Sequence, residues 1–234
     1  MTTLPHSWPC RQSRPAFEVE EERDEDSQAH TMSRLLICVC DGVAVALHSL
    51  LSTTHPVGAL VHVPAIWDER VVPLCDVGAP VASFLWVGLL PASVVPTLHD
   101  VSELVCTIVD RLHMRAADLV LVMALLEELL VKHDATIMQL YSARPILLAA
   151  CIVARKLACD NGVSTPQCVG VVTTYFTGLT TLQCARIERQ LLEYLDWRIP
   201  IDAHVYERHT HALLRNGTPS DTLPLPLTDV PWLD

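Results

Sequence analysis

Apolar residues recur at intervals of three and four through the second half of the chain, which is the spacing of one helix face. This spacing predicts five helices joined by short turns, and Asp202 is placed to cap a sixth that ends near Arg215. The five helices are expected at Asp100–Arg111, Ala117–Lys132, Ser142–Asp160 and Ser164–Phe176, and from Thr180 or Thr181 onward.

Three of these helices carry a defined apolar face. Asp100 or Ser102 is the expected cap of the first helix. The expected core positions are Val101, Leu104, Val105 and Ile108 in the first helix, Leu119, Met123, Leu126 and Leu130 in the second, and Cys184, Ile187, Leu191 and Leu195 in the fifth. Trp197 and Ile199, which follow the fifth helix, are expected to complete the core.

The third helix is apolar on nearly every side until Lys156 interrupts it. A helix of this kind lies at the centre of a bundle rather than at its surface. Glu188, on the fifth helix, is expected about one bundle layer away. The sequence therefore predicts an all-α bundle that holds one cation and one anion near its rim.

The chain upstream of residue 97 has a different character. Residues 1–32 are polar and acidic, which predicts a disordered tail. Residues 33–96 form an extension in which Arg34–Ser52 is expected to be helical, whereas the Val- and Pro-rich residues 53–95 fit either short strands or irregular packing. The bundle is expected to occupy residues 97–215, and residues 216–234 to form a flexible Pro-rich tail.

Composition narrows the class of protein. Half of the residues are hydrophobic and the net charge is −11, which argues against nucleic-acid binding because that needs a basic face. The nine cysteines are interpreted as reduced and buried in an intracellular protein of the cytoplasm or nucleus, with disulfides as the less favoured alternative. The first residues lack an apolar signal-peptide core, and Leu35–Leu51 is shorter than the ~20 residues a membrane span needs.

Signals of catalysis or metal binding are weak. Cys38 and Cys40 form a CxC without a partner pair, and His209 and His211 diverge on a helix surface. The glycine-rich and nucleophile motifs of common enzymes do not occur. We therefore expect a protein that is not an enzyme and has no cofactor, metal, small-molecule ligand or membrane attachment.

The order of several phrases resembles the cyclin box, in particular the single-box cyclins of the P-type or U-type, which act in phosphate signalling. Residues 146–157, ILLAACIVARKL, look like the third-helix phrase LLLxALMVASKF of that family. Residues 177–182, TGLTTL, resemble its GGLSLxEL turn, and residues 186–188 and 195–199 resemble RLE and LDWRL. The similarity covers roughly residues 97–215 and implies a five-helix cyclin box with an N-terminal helical or irregular extension.

The resemblance also implies a function. Cyclins perform no chemistry but bind a cyclin-dependent serine/threonine kinase as a heterodimer and move its regulatory helix into the active position. By position in the family phrases, Lys156 and Glu188 would bind main-chain groups of the kinase. Apolar contacts around them would come from Val153, Leu157, Leu192 and Ile199.

Two other functions remain open at this stage. Glu127 and Glu128 stand where the family usually has an Asp-Arg pair, and this reversed charge favours a cyclin-like module in a transcription or scaffold assembly that does not activate a kinase. An enzyme built on a helical bundle would require a deep polar pocket. A helix-terminal lysine is also favoured by the helix dipole without any partner, so Lys156 and Glu188 have a purely structural interpretation as well.

Overall fold

A computed structural model describes residues 16–54, 63–69, 71, 72, 74, 96–133, 137–159, 164–172, 176–199 and 201–217. These residues form seven helices and no strand, so the protein is all-α, as the sequence predicts. The helices are α1 (Ala16–Thr54), α2 (Leu98–Leu112), α3 (Ala116–His133), α4 (Ala143–Leu157), α5 (Thr165–Val172), α6 (Thr181–Tyr194) and α7 (Ala203–Gly217). The chain divides into two compact units, Met1–Leu35 and Leu36–Asp234, and α2 to α7 all belong to the second.

Helix α4 lies at the centre of the second unit. Every residue from Ala143 to Ala154 is buried, and α4 contacts α2, α3 and α6. The first charged residues to emerge are Arg155 and Lys156, in its last turn. The prediction of a central helix that is apolar on nearly all sides is confirmed.

Side-chain caps fix where α2 and α6 begin. Thr97 Oγ1 accepts a hydrogen bond from the Asp100 amide, and an Asp100 carboxylate oxygen accepts one from the Thr97 amide at 2.8 Å. Thr180 and Gln183 form the same reciprocal arrangement at α6. The expected α2 cap was therefore wrong: Thr97 is the cap, and Asp100 is its partner three residues later, which is a role that carboxylates commonly take.

The predicted apolar faces of α2 and α6 are buried, but that of α3 differs. Leu119 and Leu126 are buried, whereas Met123 and Leu130 are only half-buried. Helix α3 instead buries residues around most of its circumference, including Val120, Val122 and Leu129. A narrow stripe was the wrong expectation because α3 contacts α4, α6 and α7 together.

Helix α1 begins at Ala16 rather than near Arg34, so part of the expected disordered tail is helical. Residues 18–26 are rich in glutamate, which is a good helix former. Within the second unit, α1 crosses α7 at two glycines. A Cβ atom on Gly217 would overlap the Cys38 carbonyl oxygen, and one on Gly42 would overlap the Leu213 carbonyl oxygen, so only glycine allows these two backbones to touch.

Between α1 and α2, the described residues 63–69, 71, 72 and 74 form turns rather than strands. The amide of Trp67 donates to the Pro64 carbonyl at 2.8 Å, and the amide of Val72 donates to the Asp68 carbonyl at 2.8 Å. This supports the irregular interpretation for these residues; the other predictions for residues 55–62 and 75–95, and for the tail from residue 218, lie outside the described residues.

One stretch of α1, Ser33–Thr53, is long and apolar enough to cross a membrane. At 21 residues it exceeds the expected length, but 44% of its apolar window is buried inside the protein. Core helices and N-terminal signal sequences have the same length and composition, so the stretch is weak evidence for a span.

Candidate functional site

Lys156 and Glu188 meet on neighbouring helices. Lys156 lies in the last turn of α4, and its Nζ is 2.5 Å from Glu188 Oε1 on α6. Lys156 Nζ also donates to Thr165 Oγ1 at 2.6 Å, and that hydroxyl donates to Glu188 Oε2 at 2.9 Å. Thr165 begins α5, so the three side chains, here called the rim cluster, join three helices.

The rim cluster is only partly shielded from water. The side chains of Lys156 and Glu188 are 25% and 13% exposed. An ammonium group has three donors and a carboxylate has about four acceptor positions. In the described part of the chain, two of those donors and two of those acceptor positions are used within the cluster. The cluster therefore keeps capacity to bind both an acceptor and a donor of another molecule.

Two thiols lie beside the cluster and stay protonated. Burial, together with the nearby Glu188 carboxylate, raises the pKa of Cys184 to about 12. Burial likewise raises the pKa of Cys168, which Lys156 opposes. These cysteines act as small apolar residues beneath the cluster rather than as nucleophiles.

The apolar residues expected around the cluster differ in exposure. Leu157 is 50% exposed, and Leu192 and Ile199 are half-buried. Val153, by contrast, is 3% exposed, because it lies one turn before Lys156 in the buried part of α4. The structure therefore places Val153 in the core, and its predicted contact with a partner stays a prediction.

Trp197, which the sequence placed in the core, is 63% exposed. It follows α6 in a turn where the Trp197 amide donates to the Leu192 carbonyl at 2.8 Å and Asp196 has a left-handed φ of 54°. Such a turn often ends a helix, with glycine as the usual left-handed residue. The turn directs Trp197 away from the interior, so an exposed aromatic ring follows the helix that carries Glu188.

The extension packs on a different flank of α6 from the one that carries Glu188. Trp67 is fully buried; its Nε1 donates to the Ile187 carbonyl at 3.4 Å, and its ring centroid lies 4.9 Å from that of Tyr194. Ile187 and Glu188 project about 100° apart around a helix. Trp67 therefore covers the Ile187–Tyr194 flank of α6.

Sequence reasoning missed several polar partners. The sequence Ser164-Thr165-Pro166 predicts only a helix start. It does not indicate that the Thr165 hydroxyl, in the first turn of α5, contacts Lys156 and Glu188. Fully buried Asp118 accepts a hydrogen bond from the Arg115 amide at 2.9 Å and lies 3.5 Å from Arg155 Nη1. Buried Glu69 pairs with Arg144. No pattern in the sequence around either residue indicates that contact.

Glu127, on α3, has partners on a neighbouring helix. Its carboxylate pairs with Arg208 and lies 3.0 Å from His209 Nε2, both on α7. Burial lowers the pKa of His209, although Glu127 opposes this shift. Glu127 thus connects α3 to α7 within the protein.

Other candidate sites are minor. Among the described residues, no three His, Cys, Asp or Glu side chains are grouped to hold a metal ion. A depression of 490 Å³ lies at the start of α7, lined by Ile201, Asp202, Ala203, Tyr206 and Glu207. Burial raises the pKa of Tyr206 to about 12, which keeps its phenol protonated at neutral pH.

Comparison of the chain with protein families, with curated proteins and with solved structures found no match. The resemblance to cyclins therefore depends on the residue phrases alone.

Proposed function

We propose that this chain is a cyclin-like regulatory subunit that binds and activates a cyclin-dependent serine/threonine kinase inside the cell, in the cytoplasm or nucleus. Its role would lie in the cell cycle or in nutrient signalling. The observation that carries the proposal is the rim cluster: the two residues chosen from the family phrases, Lys156 and Glu188, lie 2.5 Å apart on α4 and α6. The two residues are 32 positions apart in the chain.

The chemistry of the cluster suits binding to a peptide main chain. The remaining ammonium hydrogen of Lys156 would donate to a kinase carbonyl, and the remaining acceptor positions of Glu188 would accept from a kinase amide. Hydrogen bonds to charged groups are stronger than neutral ones. Leu157, with the half-buried Leu192 and Ile199, would supply the apolar contact next to them.

Binding of this kind would act on the kinase without chemistry by the present chain. Holding the kinase segment that leads into its regulatory helix would move that helix inward and complete the Lys–Glu pair and magnesium site needed for phosphoryl transfer. The seven cysteines in the described residues are all free, which supports a reducing compartment.

The test is affinity purification of the full chain from cells that express it, with identification of the bound proteins, followed by binding measurements with the kinase. We expect a cyclin-dependent kinase, and we expect Lys156→Ala with Glu188→Ala to weaken binding by about tenfold or more, since a hydrogen bond to a charged group contributes roughly 1.5–3 kcal/mol. The double variant should keep its far-UV circular dichroism spectrum.

The matched control lies on the same helix. Arg189 and Glu193 form an exposed ion pair, with Arg189 Nε 2.8 Å from Glu193 Oε1. Replacing both with alanine removes the same kinds of charge from α6 and should leave kinase binding unchanged. Equal losses in both double variants, or wild-type binding in the rim variant, would contradict the proposal.

A cyclin-like interaction module without kinase activation is the second candidate. The observation that favours it is Glu127, whose negative charge is held in place by Arg208 and His209 where the family usually has an Asp-Arg pair. A purified complex that contains other proteins and no kinase would support this function over the first.

A further inference from the structure

Two arginines share one buried carboxylate where the start of α3 meets the end of α4. Arg115 Nη2 lies 3.3 Å from Asp118 Oδ1, and Arg155 Nη1 lies 3.5 Å from Asp118 Oδ2; the two guanidinium groups are here called the arginine pair. The Asp118 side chain is 0% exposed, whereas those of Arg115 and Arg155 are 59% and 21% exposed. The carboxylate is therefore sealed from water behind two cations that both reach the surface.

The arginine pair carries more positive charge than its carboxylate balances. Two positive charges face a single negative charge, and both N–O distances exceed the about 2.7–2.9 Å of a strong hydrogen bond between charged groups. Elsewhere among the described residues, a single arginine or lysine contacts each of the carboxylates of Glu69, Glu127, Glu188 and Glu193. The arginine pair is thus a local cationic surface on a chain whose net charge is −11.

Backbone groups hold the arginine pair in position. Arg115 Nη2 also donates to the Ala158 carbonyl, at the end of α4, at 3.1 Å. The Arg115 amide donates to Asp118 Oδ2 at 2.9 Å, which fixes the carboxylate at the start of α3. Side chains that are held in this way lose little freedom when they bind another molecule, and this favours affinity.

The arginine pair retains unused hydrogen-bond donors. A guanidinium group has five N–H donors, of which Arg115 uses two and Arg155 uses one among the described residues. The donors that remain outnumber the about four acceptor positions of a carboxylate, whereas a phosphate monoester presents three strongly accepting oxygens and up to two negative charges. Paired N–H groups of arginine also match two phosphate oxygens at once. The chemistry of the pair therefore favours a phosphate group.

We propose that Arg115 and Arg155 bind the phosphate group of a phosphorylated serine or threonine on a protein partner. Arginine clusters recognise phosphorylated segments in several kinds of protein. The inference concerns reversible binding without covalent chemistry, and it does not depend on the proposed kinase partner.

Three observations favour a protein as the source of the phosphate. The arginine pair is open, with Arg115 mostly exposed, whereas small molecules bind in concave pockets. The depression at the start of α7 is lined by Asp202 and Glu207, whose charges would repel a phosphate. The net charge of −11 opposes nucleic acids and anionic membranes, which present many phosphates together. A phosphorylated protein segment brings a single phosphate to a single cationic surface.

The test titrates the full chain with acetyl-Gly-Gly-phosphothreonine-Gly-Gly-amide and follows the arginine Nε–Hε signals by two-dimensional NMR. We expect the Arg115 and Arg155 signals to shift. The unphosphorylated peptide, and one with glutamate in place of phosphothreonine, should bind at least about tenfold more weakly. Because both arginines are partly exposed, the affinity should fall as the salt concentration rises from about 0.05 to about 0.3 M.

Variants assign the binding to the two arginines. Arg115→Lys and Arg155→Lys keep the charge but lose the planar fork, and each should weaken binding of the phosphorylated peptide about fivefold or more. Arg189→Lys changes an exposed arginine on α6 in the same way, and this matched control should bind like wild type. The signal shifts of the wild type answer the question even if a variant fails to fold.

Inorganic phosphate, tested at the same pH and ionic strength, identifies the source of the phosphate. It should bind more weakly than the phosphorylated peptide, because the peptide adds contacts from its main chain. Equal or tighter binding of inorganic phosphate would assign the arginine pair to a free ion. Signal shifts confined to other arginines, or unchanged affinity in both lysine variants, would place the binding elsewhere. Each of these results would overturn the proposal.

Discussion

Helix α4 carries an ion pair at each end, and the two pairs differ in burial. At the N-terminal end, Arg144 and Glu69 have side chains 4% and 2% exposed. At the C-terminal end, Lys156 and Glu188 are 25% and 13% exposed. The same helix thus holds one pair sealed in the interior and one pair at the rim.

The two pairs also differ in the number of hydrogen bonds that join the two partners. Arg144 binds Glu69 in a two-pronged arrangement, with Nε 2.7 Å from Oε1 and a second contact between Nη2 and Oε2. Burial raises the pKa of Glu69, and Arg144 opposes that shift. A lysine cannot match a carboxylate in this way, and Lys156 makes a single contact to Glu188 plus one to Thr165. The inner pair is therefore sealed within the fold, whereas the rim pair lies closer to solvent and makes fewer mutual contacts.

Arg144→Ala should have the largest effect on stability. It leaves the Glu69 carboxylate buried without its counter-charge, which typically costs about 3–5 kcal/mol. Urea denaturation followed by circular dichroism at pH 7 measures the loss. Arg189→Ala, which removes a 73% exposed arginine, should change the free energy of unfolding little.

A double replacement sharpens this result. Glu69→Leu combined with Arg144→Leu removes both charges, and it should destabilise the protein less than Arg144→Ala does, because no uncompensated charge remains. A loss below about 1 kcal/mol for Arg144→Ala would mean that the inner pair is not part of the fold.

Trp67→Phe should have an intermediate effect. Phenylalanine keeps an aromatic ring against Tyr194 but loses the hydrogen bond to the Ile187 carbonyl and part of the buried indole volume. We expect a loss of about 1–2 kcal/mol by urea denaturation. Kinase binding should stay unchanged, because Trp67 packs on a different flank of α6 from Glu188; a binding loss without a stability loss would contradict that separation.

Features that depend on local sequence patterns were predictable, whereas features that depend on contacts between distant residues were not. The helices, their all-α class and the central position of α4 were predictable because hydrophobic periodicity reflects burial directly. The α2 cap was missed because Thr97 and Asp100 both favour helix starts, and only the reciprocal hydrogen bonds distinguish their roles. The exposure of Trp197 was not predicted because it depends on the turn that follows α6, and a periodic pattern does not indicate such a turn.

The candidate site divides in the same way. The neighbouring positions of Lys156 and Glu188 were expected from the cyclin resemblance. Thr165 was not, because its contact depends on how α5 is placed against α4 and α6. The Arg144–Glu69 pair joins residues 75 positions apart through a segment without helical or strand periodicity. Such contacts depend on tertiary packing, which a single sequence does not encode in any local pattern.

Glu188→Gln should have the smallest effect on stability and is the sharpest test of the comparison. Glutamine keeps the size of the side chain and can still accept a hydrogen bond from Lys156, but it loses the charge and replaces the oxygen that accepts from Thr165 with a donor group. For a partly exposed pair we expect a change of about 1 kcal/mol or less in the free energy of unfolding, together with weaker kinase binding. Glu193→Gln, on the exposed side of α6, should affect neither. If Glu188→Gln instead destabilises the protein as much as Arg144→Ala, the rim pair would be as structural as the inner pair, and the reason for assigning it to a partner would be lost.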